Sequence, residues 1–287
     1  MDVKRTRRQF MQAAGVGAAA VSLAWPSGCL AQTENAGQSE KGDDKYEMKL
    51  GLASYTLRKF DLEQTIEMCK RVGLEYIKLK SFHLPLEASK AEIEEAAAKV
   101  REAGLKLYGG GVIYMKNPAQ VVQAFKYAKA AGMDIIIGVP TPNVLKLTEE
   151  KVKEYDIKVA IHNHGPGDKT YPTPERVYEA IKDLDKRIGL CIDIGHTKRY
   201  GADSSEAAKK YRQRLFDVDM KDVSEASAEG TCVETGRGVV DVPRVLRTLK
   251  DIRYEGVVAF EHEKDANDPL AGLAESVGYV KGILAVI

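Results

Sequence analysis

All five histidines of this 287-residue chain, His83, His162, His164, His196 and His262, stand at or just beyond the end of a short strand-like run. Carboxylates share those positions. Asp193 closes Leu190-Cys191-Ile192-Asp193, Asp219 and Asp222 stand in Val218-Asp219-Met220-Lys221-Asp222, and Glu261 closes Val258-Ala259-Phe260-Glu261. An ionised carboxylate ending an apolar run is costly without a partner, so cations, hydrogen-bond donors or a metal must compensate. Mixed imidazole and carboxylate donors suit a borderline divalent ion such as Mn or Zn, with Mg or Co as further candidates. For any one carboxylate, a salt bridge to Lys78, Lys80 or Lys221 is the plainer alternative.

These side chains can cooperate only if the fold gathers the strand ends. Strand-like runs occur at 48–54, 76–80, 105–109, 134–139, 158–163, 189–193, 216–221 and 257–261. Helical patterns alternate with them at 62–72, 90–103, 118–131, 149–155, 174–186, 205–214, 242–252 and 270–284. Several helices open on a Ser, Thr, Asp or Asn suited to capping, and Gly73, Gly104 and Gly132 follow helix ends, where a residue tolerant of positive φ is wanted. Eight such units in about 240 residues predict an α/β fold, a single closed (β/α)8 TIM barrel of eight parallel strands. No G-x-G-x-x-G follows the first strand, which argues against a nucleotide-binding open sheet. The triplet Gly109-Gly110-Gly111 leads into Val112-Ile113-Tyr114 rather than a helix, and reads as a bend at the rim. In a barrel, the carboxyl ends of the strands form the face where active sites assemble, so the histidines and carboxylates converge there.

Residues 1–31 are a different kind of sequence. Thr6-Arg7-Arg8-Gln9-Phe10-Met11 precedes an apolar run from Ala13 to Ala24, then Pro26-Ser27-Gly28-Cys29-Leu30-Ala31, the pattern of a twin-arginine export signal. The run is too short to span a bilayer, so no transmembrane segment and a periplasmic location are expected. Cys29 follows small residues as a lipid-attachment cysteine would, yet Pro26 sits where that signal wants Leu, which weighs against a lipoprotein. Residues 32–46 have almost no apolar content and read as a tether; the barrel should occupy 47–287. Loss of Lys4, Arg5, Arg7, Arg8 and Asp2 with the leader takes 43 basic and 42 acidic residues to 39 and 41, a balance that does not invite nucleic acid. Cys69, Cys191 and Cys232 are odd in number and lack metal-type spacing, so no disulfide framework is expected.

The segments Lys158-Val159-Ala160-Ile161-His162-Asn163-His164, Cys191-Ile192-Asp193-Ile194-Gly195-His196, Asp219-Met220-Lys221-Asp222, Gly236-Arg237-Gly238-Val239-Val240-Asp241 and Gly256-Val257-Val258-Ala259-Phe260-Glu261 resemble the xylose-isomerase-like barrel superfamily. Its members include sugar phosphate isomerases and epimerases, ketose 3-epimerases, inosose dehydratases and endonuclease IV barrels. The resemblance runs over essentially the whole chain beyond the leader and is strongest from residue 157 onward. It implies a divalent metal held by a Glu of strand five, an Asp of strand six, a His of strand seven and a Glu of strand eight. Asp193 and Glu261 match that pattern. His162 stands in place of the first Glu and Asp219 in place of the His, so the implied set is His162, Asp193, Asp219 and Glu261. The exchange also removes one of the two acid/base Glu residues that the epimerases use.

The chemistry that the resemblance implies is proton abstraction beside a sugar carbonyl, with an electrostatically stabilised enediolate. The proton can return to the other face, move to the neighbouring carbon, or be followed by elimination. Base candidates are His162, His164 and Glu261. Lys80 and Lys221 are candidate electrophiles, His83, His196 and Arg237 candidate hydroxyl ligands, and Tyr55 and Tyr114 candidate stacking faces. Lys78 lies deeper in its strand, where packing or an ion pair suits it better. Two readings compete with an isomerase or epimerase: a lyase or hydratase acting on keto-sugars such as 3-keto-glycosides, and a catalytically silent sugar-binding barrel. Members of the superfamily often dimerise, which makes a homodimer a candidate assembly, although no motif specifies an interface.

Overall fold

A computed structural model describes residues 46–287. The export signal, Cys29 and nearly all of the tether lie outside the described residues. Tyr46, placed at the tether's end by the sequence pattern, is instead half-buried, and its hydroxyl donates to the Tyr254 carbonyl at 2.7 Å.

Eight parallel strands close a barrel: β1 (Lys49–Ala53), β2 (Tyr76–Leu79), β3 (Lys106–Met115), β4 (Ile135–Pro140), β5 (Lys158–His162), β6 (Ile188–Asp193), β7 (Leu215–Met220) and β10 (Val257–Phe260), with β10 pairing β1. The remaining β8 (Asp222–Val223) and β9 (Cys232–Val233) form an antiparallel ribbon in the loop after β7. Helices α1 (Leu62–Arg71), α2 (Lys90–Glu102), α3 (Pro118–Ala131), α4 (Leu145–Tyr155), α5 (Pro174–Ile181), α6 (Ile194–Arg199), α7 (Ser204–Lys210), α8 (Val242–Asp251) and α9 (Leu270–Leu284) lie between and after the strands. Asp61 and Ser89 complete capping boxes at α1 and α2, as the sequence signals predict.

Alternation along the strands sorts side chains into two shells. Leu52, Val218, Met220, Val258 and Phe260 face outward into a large core shared with the helices. On α8, Val242, Val245, Leu246 and Leu249 supply the helical stripe that covers this layer. The inner shell is smaller: Ala53, Ala160 and Ala259 join Ile135, Ile137, Cys191 and Val257. Those alanines leave volume inside the barrel that Lys78, Tyr108, Asp217 and Asp219 occupy, all of them buried.

Several boundaries depart from the sequence pattern: α4 begins at Leu145 rather than 149, and α7 ends at Lys210 rather than 214. The glycine triplet lies within β3, which continues through it to Met115, with a register shift against β4 between Gly111 and Ile113. A Cβ at Gly111 would collide with the Ile137 carbonyl, so β3 approaches β4 there only because the side chain is absent. α5 stops at Ile181, and the Arg214 guanidinium donates to the carbonyls of Leu184 at 2.8 Å and Asp185 at 3.0 Å just beyond it. Finally, residues 194–199 form the short helix α6 directly after β6.

Candidate active site

Inside the barrel, Lys78 of β2 reaches across to β7, where its ammonium meets Asp217 at 2.6 Å and Asp219. This is the ion pair that its deep position in the strand suggests. Tyr108 donates its hydroxyl to Asp217 at 3.0 Å, and Cys191 Sγ lies 3.2 Å from Asp217 and 3.4 Å from Asp219. Burial alone would strip the charge from the lysine, but the two aspartates outweigh it and hold its pKa well above the ordinary value. Asp219 in turn lies 3.1 Å from His162 Nδ1.

Above this floor the strand ends carry the site. α6 explains the placement of Asp193 and His196: Asp193 caps the helix, its Oδ1 accepting the His196 backbone N–H at 2.7 Å. Asn163 and Thr197 brace the same turn, with Asn163 accepting from the Asp193 N–H at 3.2 Å. Capping with one oxygen leaves Asp193 Oδ2 turned into the site, where it is buried without a hydrogen-bond partner. Lys221 Nζ sits 2.8 Å from that oxygen, in ion-pair range but off the line of a hydrogen bond.

Lys221 is the hub of the mouth. Its ammonium is also 2.6 Å from Glu263, 3.6 Å from Glu261 and 3.3 Å from His196 Nε2. Burial opposes its charge, yet the three carboxylates prevail and raise its pKa well above the usual lysine range. Its stem packs on Gly195, where a Cβ would come within 2.7 Å of Lys221 Cγ. Glu261 experiences the reverse balance: burial, only partly offset by Lys221, raises its carboxyl to about 7. Burial also keeps His196 and His164 neutral, lowering them to about 4 and about 3. Lys80 is lowered by burial too, with Glu261 opposing; its Nζ donates to the Val112 carbonyl at 2.9 Å and lies 5.8 Å from the Tyr55 ring centre.

Tyr114 stacks on His164, centroids 5.9 Å apart, and remains half exposed at the rim. On another loop Tyr55 packs against Phe82, centroids 6.0 Å apart. Thus His162, His164, His196, Asp193, Asp219, Glu261 and Lys221 are brought together, with Lys80, Tyr55 and Tyr114 around them.

Two expected residues are not brought to the site. Arg237 pairs with Glu275 of α9 at 2.5 and 2.7 Å on the exposed surface, because its loop is pinned elsewhere by Asp222. His83 spends both ring nitrogens internally, Nδ1 on Ser54 at 2.9 Å and Nε2 on Thr65 at 2.9 Å, and so ties the loops after β1 and β2 together. Asp222 is likewise structural: its carboxylate accepts backbone N–H groups of Val223, Gly236, Gly238 and Val240. Sequence reasoning missed Asp217 and Glu263. Each lies two residues from a recognised carboxylate, so the period of an extended chain was the available signal.

Among the described residues three groups of donors have ligand atoms within 4.8 Å of one another: His162, Asp193 and His196; Asp193, Asp219 and Glu261; and His162, Cys191 and Asp219. Asp193 is common to two of these groups, and its buried Oδ2, without a hydrogen-bond partner and beside the Lys221 ammonium, has a lone pair that a metal could take up.

Residues 61–283 match the xylose isomerase-like TIM barrel family, to which this chain belongs. It is similar to inosose isomerase of Bacillus velezensis, 21% identical over 72% of this chain and 85% of that protein. Among solved structures, the IOLI protein with a zinc atom aligns at TM-score 0.67 and 20% identity, over 83% of this chain and 97% of that one. The apo form of 3-keto-D-glucoside 4-epimerase from E. coli aligns at TM-score 0.68 and 17% identity, over 82% of this chain and all of that one.

Proposed function

We propose that this chain is an exported sugar isomerase or epimerase that moves a proton on the carbon beside a sugar carbonyl. One observation carries the reading: Glu261, a buried carboxyl with a pKa of about 7, faces the permanently charged Lys221 at 3.6 Å. A group tuned near neutrality both takes and returns a proton, which neither His164 nor His196, lowered to about 3 and about 4, does as well. Lys221 supplies positive charge where an enediolate oxygen would form. Tyr55 and Tyr114, the latter braced by His164 Nε2 3.2 Å from its hydroxyl, offer faces to the ring.

The residues present suit a divalent cation, on the strength of the buried Asp193 Oδ2, which accepts no hydrogen bond, and the imidazoles beside it. His162, Asp193 and His196 would hold it, with Glu261 alongside. Once bound, it would polarise the carbonyl and share the enediolate charge. The zinc-containing relative and the inosose isomerase support this reading at the level of the class. The likeness to a 3-keto-D-glucoside epimerase favours, as a second reading, a keto-glycoside substrate, on which the same proton abstraction can end in elimination. Export, expected from the twin-arginine pattern of residues 1–31, would agree, since a periplasmic enzyme meets free sugars and glycosides rather than phosphorylated ones.

The test is solvent exchange. Free ketoses and 3-keto-glucosides incubated in D2O with the metal-loaded protein should gain deuterium beside the carbonyl, and Glu261→Gln should abolish the exchange. An enone absorbance would identify the lyase branch. Absence of exchange and of product with every keto-sugar would sink the proposal and promote a binding protein. Recovery of the full-length chain from the cytoplasmic rather than the periplasmic fraction would remove export.

A further inference from the structure

Asp219 occupies a strand-end position that resembles a metal ligand, yet neither of its oxygens is free. Oδ1 accepts from the Lys78 ammonium, and Oδ2 faces His162 Nδ1 at 3.1 Å and Cys191 Sγ at 3.4 Å. All four side chains are buried, none more than 2% exposed. Lys78 is therefore no surface cation that a competing ligand displaces. It reaches across the barrel from β2, and its other contact, Asp217, is itself held by the Tyr108 hydroxyl. The alanines of the inner shell make this crossing sterically available.

An imidazole has two nitrogens on opposite edges of the ring. Nδ1 of His162 faces downward, 3.1 Å from Asp219 Oδ2 and 3.5 Å from Cys191 Sγ, so the nitrogen left for the mouth is Nε2, toward the side where Asp193 and His196 stand. A carboxylate locked on Nδ1–H fixes the tautomer that leaves Nε2 as a lone-pair donor, the general arrangement by which a second layer of residues aims a histidine.

We propose that Lys78 and Asp219 form a positioning relay that holds His162 as its Nδ1–H tautomer, so that Asp219 touches neither metal nor substrate. Lys78 keeps the Asp219 carboxylate in place, Asp219 accepts the His162 proton, and His162 presents Nε2 to a divalent cation or a substrate hydroxyl. The relay holds for any reacting carbon and does not depend on which sugar is turned over.

Ring nitrogen NMR of 15N-histidine-labelled, metal-free protein tests it directly. His162→Gln identifies the His162 signals among the five histidines. The wild type should show a protonated Nδ1 and a bare Nε2. Asp219→Asn, whose amide can donate to Nδ1, should flip His162 to the Nε2–H tautomer and weaken Zn(II) binding about 10- to 100-fold while one ion per chain still binds. Lys78→Met should disturb the same signal although it lies farther from the mouth; the isosteric Asp219→Asn and the wild-type spectrum stand if that variant does not fold. A wild-type His162 that is doubly protonated or protonated on Nε2 overturns the relay. So does an Asp219→Asn protein that loses metal with the His162 tautomer unchanged, which would make Asp219 a direct ligand.

Discussion

Burial, partly offset by Lys221, raises the Glu261 carboxyl to about 7 from the ordinary 4.5. A carboxyl whose folded pKa lies above its unfolded value favours the folded state only when protonated. Its contribution is complete below the unfolded value and is lost as pH rises through about 7. Glu261→Gln keeps the shape of the protonated acid at every pH. The interval between the two values corresponds to roughly 3 kcal/mol of extra stability for the variant at about pH 8, shrinking to about 1 kcal/mol near pH 5. For a barrel of this size that gain is roughly 6–12 °C in Tm at the higher pH. The assay is urea unfolding followed by circular dichroism, on chelator-treated wild type and variant at three pH values, since a nearby dication would itself lower the carboxyl pKa. The variant should be the more stable and the less active protein. Equal or lower stability at about pH 8, or a gain that does not change with pH, would refute the placement of Glu261 as a buried, charge-strained acid.

Lys221→Met should lower kcat by about 100- to 1000-fold through loss of the charge facing the enediolate, with Lys221→Arg recovering part of it; steady-state kinetics on an active keto-sugar reads both. Plasma mass spectrometry should find about one Mn, Zn or Co per purified chain, with Asp193→Asn and His196→Ala depleted, as expected when each supplies a ligand. Tyr114→Ala should raise KM roughly 5- to 10-fold with little change in kcat, the value of about 1 kcal/mol for a lost stacking face. Arg237→Ala should leave both constants unchanged and stability within about 0.5 kcal/mol, because its pair with Glu275 is solvent-exposed.

Much of this molecule was readable along the chain. The alternation of β-branched runs with capped amphipathic helices announces a (β/α)8 barrel, because a parallel sheet needs a helix after each strand and each helix needs its cap. Placement of chemical residues at strand ends was readable for the same reason: in a barrel, position along a strand is height above the floor. Even Lys78, two residues short of Lys80, could be assigned to the interior by that measure. The glycine triplet misled because three residues without side chains look alike in a turn and in a strand that must approach its neighbour closely. Only the observed register against β4 distinguishes them.

Tertiary structure alone decided which functional groups meet. Lys78 and Asp219 are separated by 141 residues in sequence and lie on strands that are not neighbours, and whether a lysine spans the barrel depends on the volume left by Ala53, Ala160 and Ala259. The same holds for the direction of side chains beyond the strands. His83, His196 and Arg237 are equivalent in sequence as polar residues in loops beyond strands, yet hydrogen bonds to Ser54, the cap of α6 and Glu275 send the first into the wall, the second into the site and the third to the surface. Periodicity specifies the face on which a strand residue lies, whereas a loop side chain is aimed by partners brought near only when the chain folds.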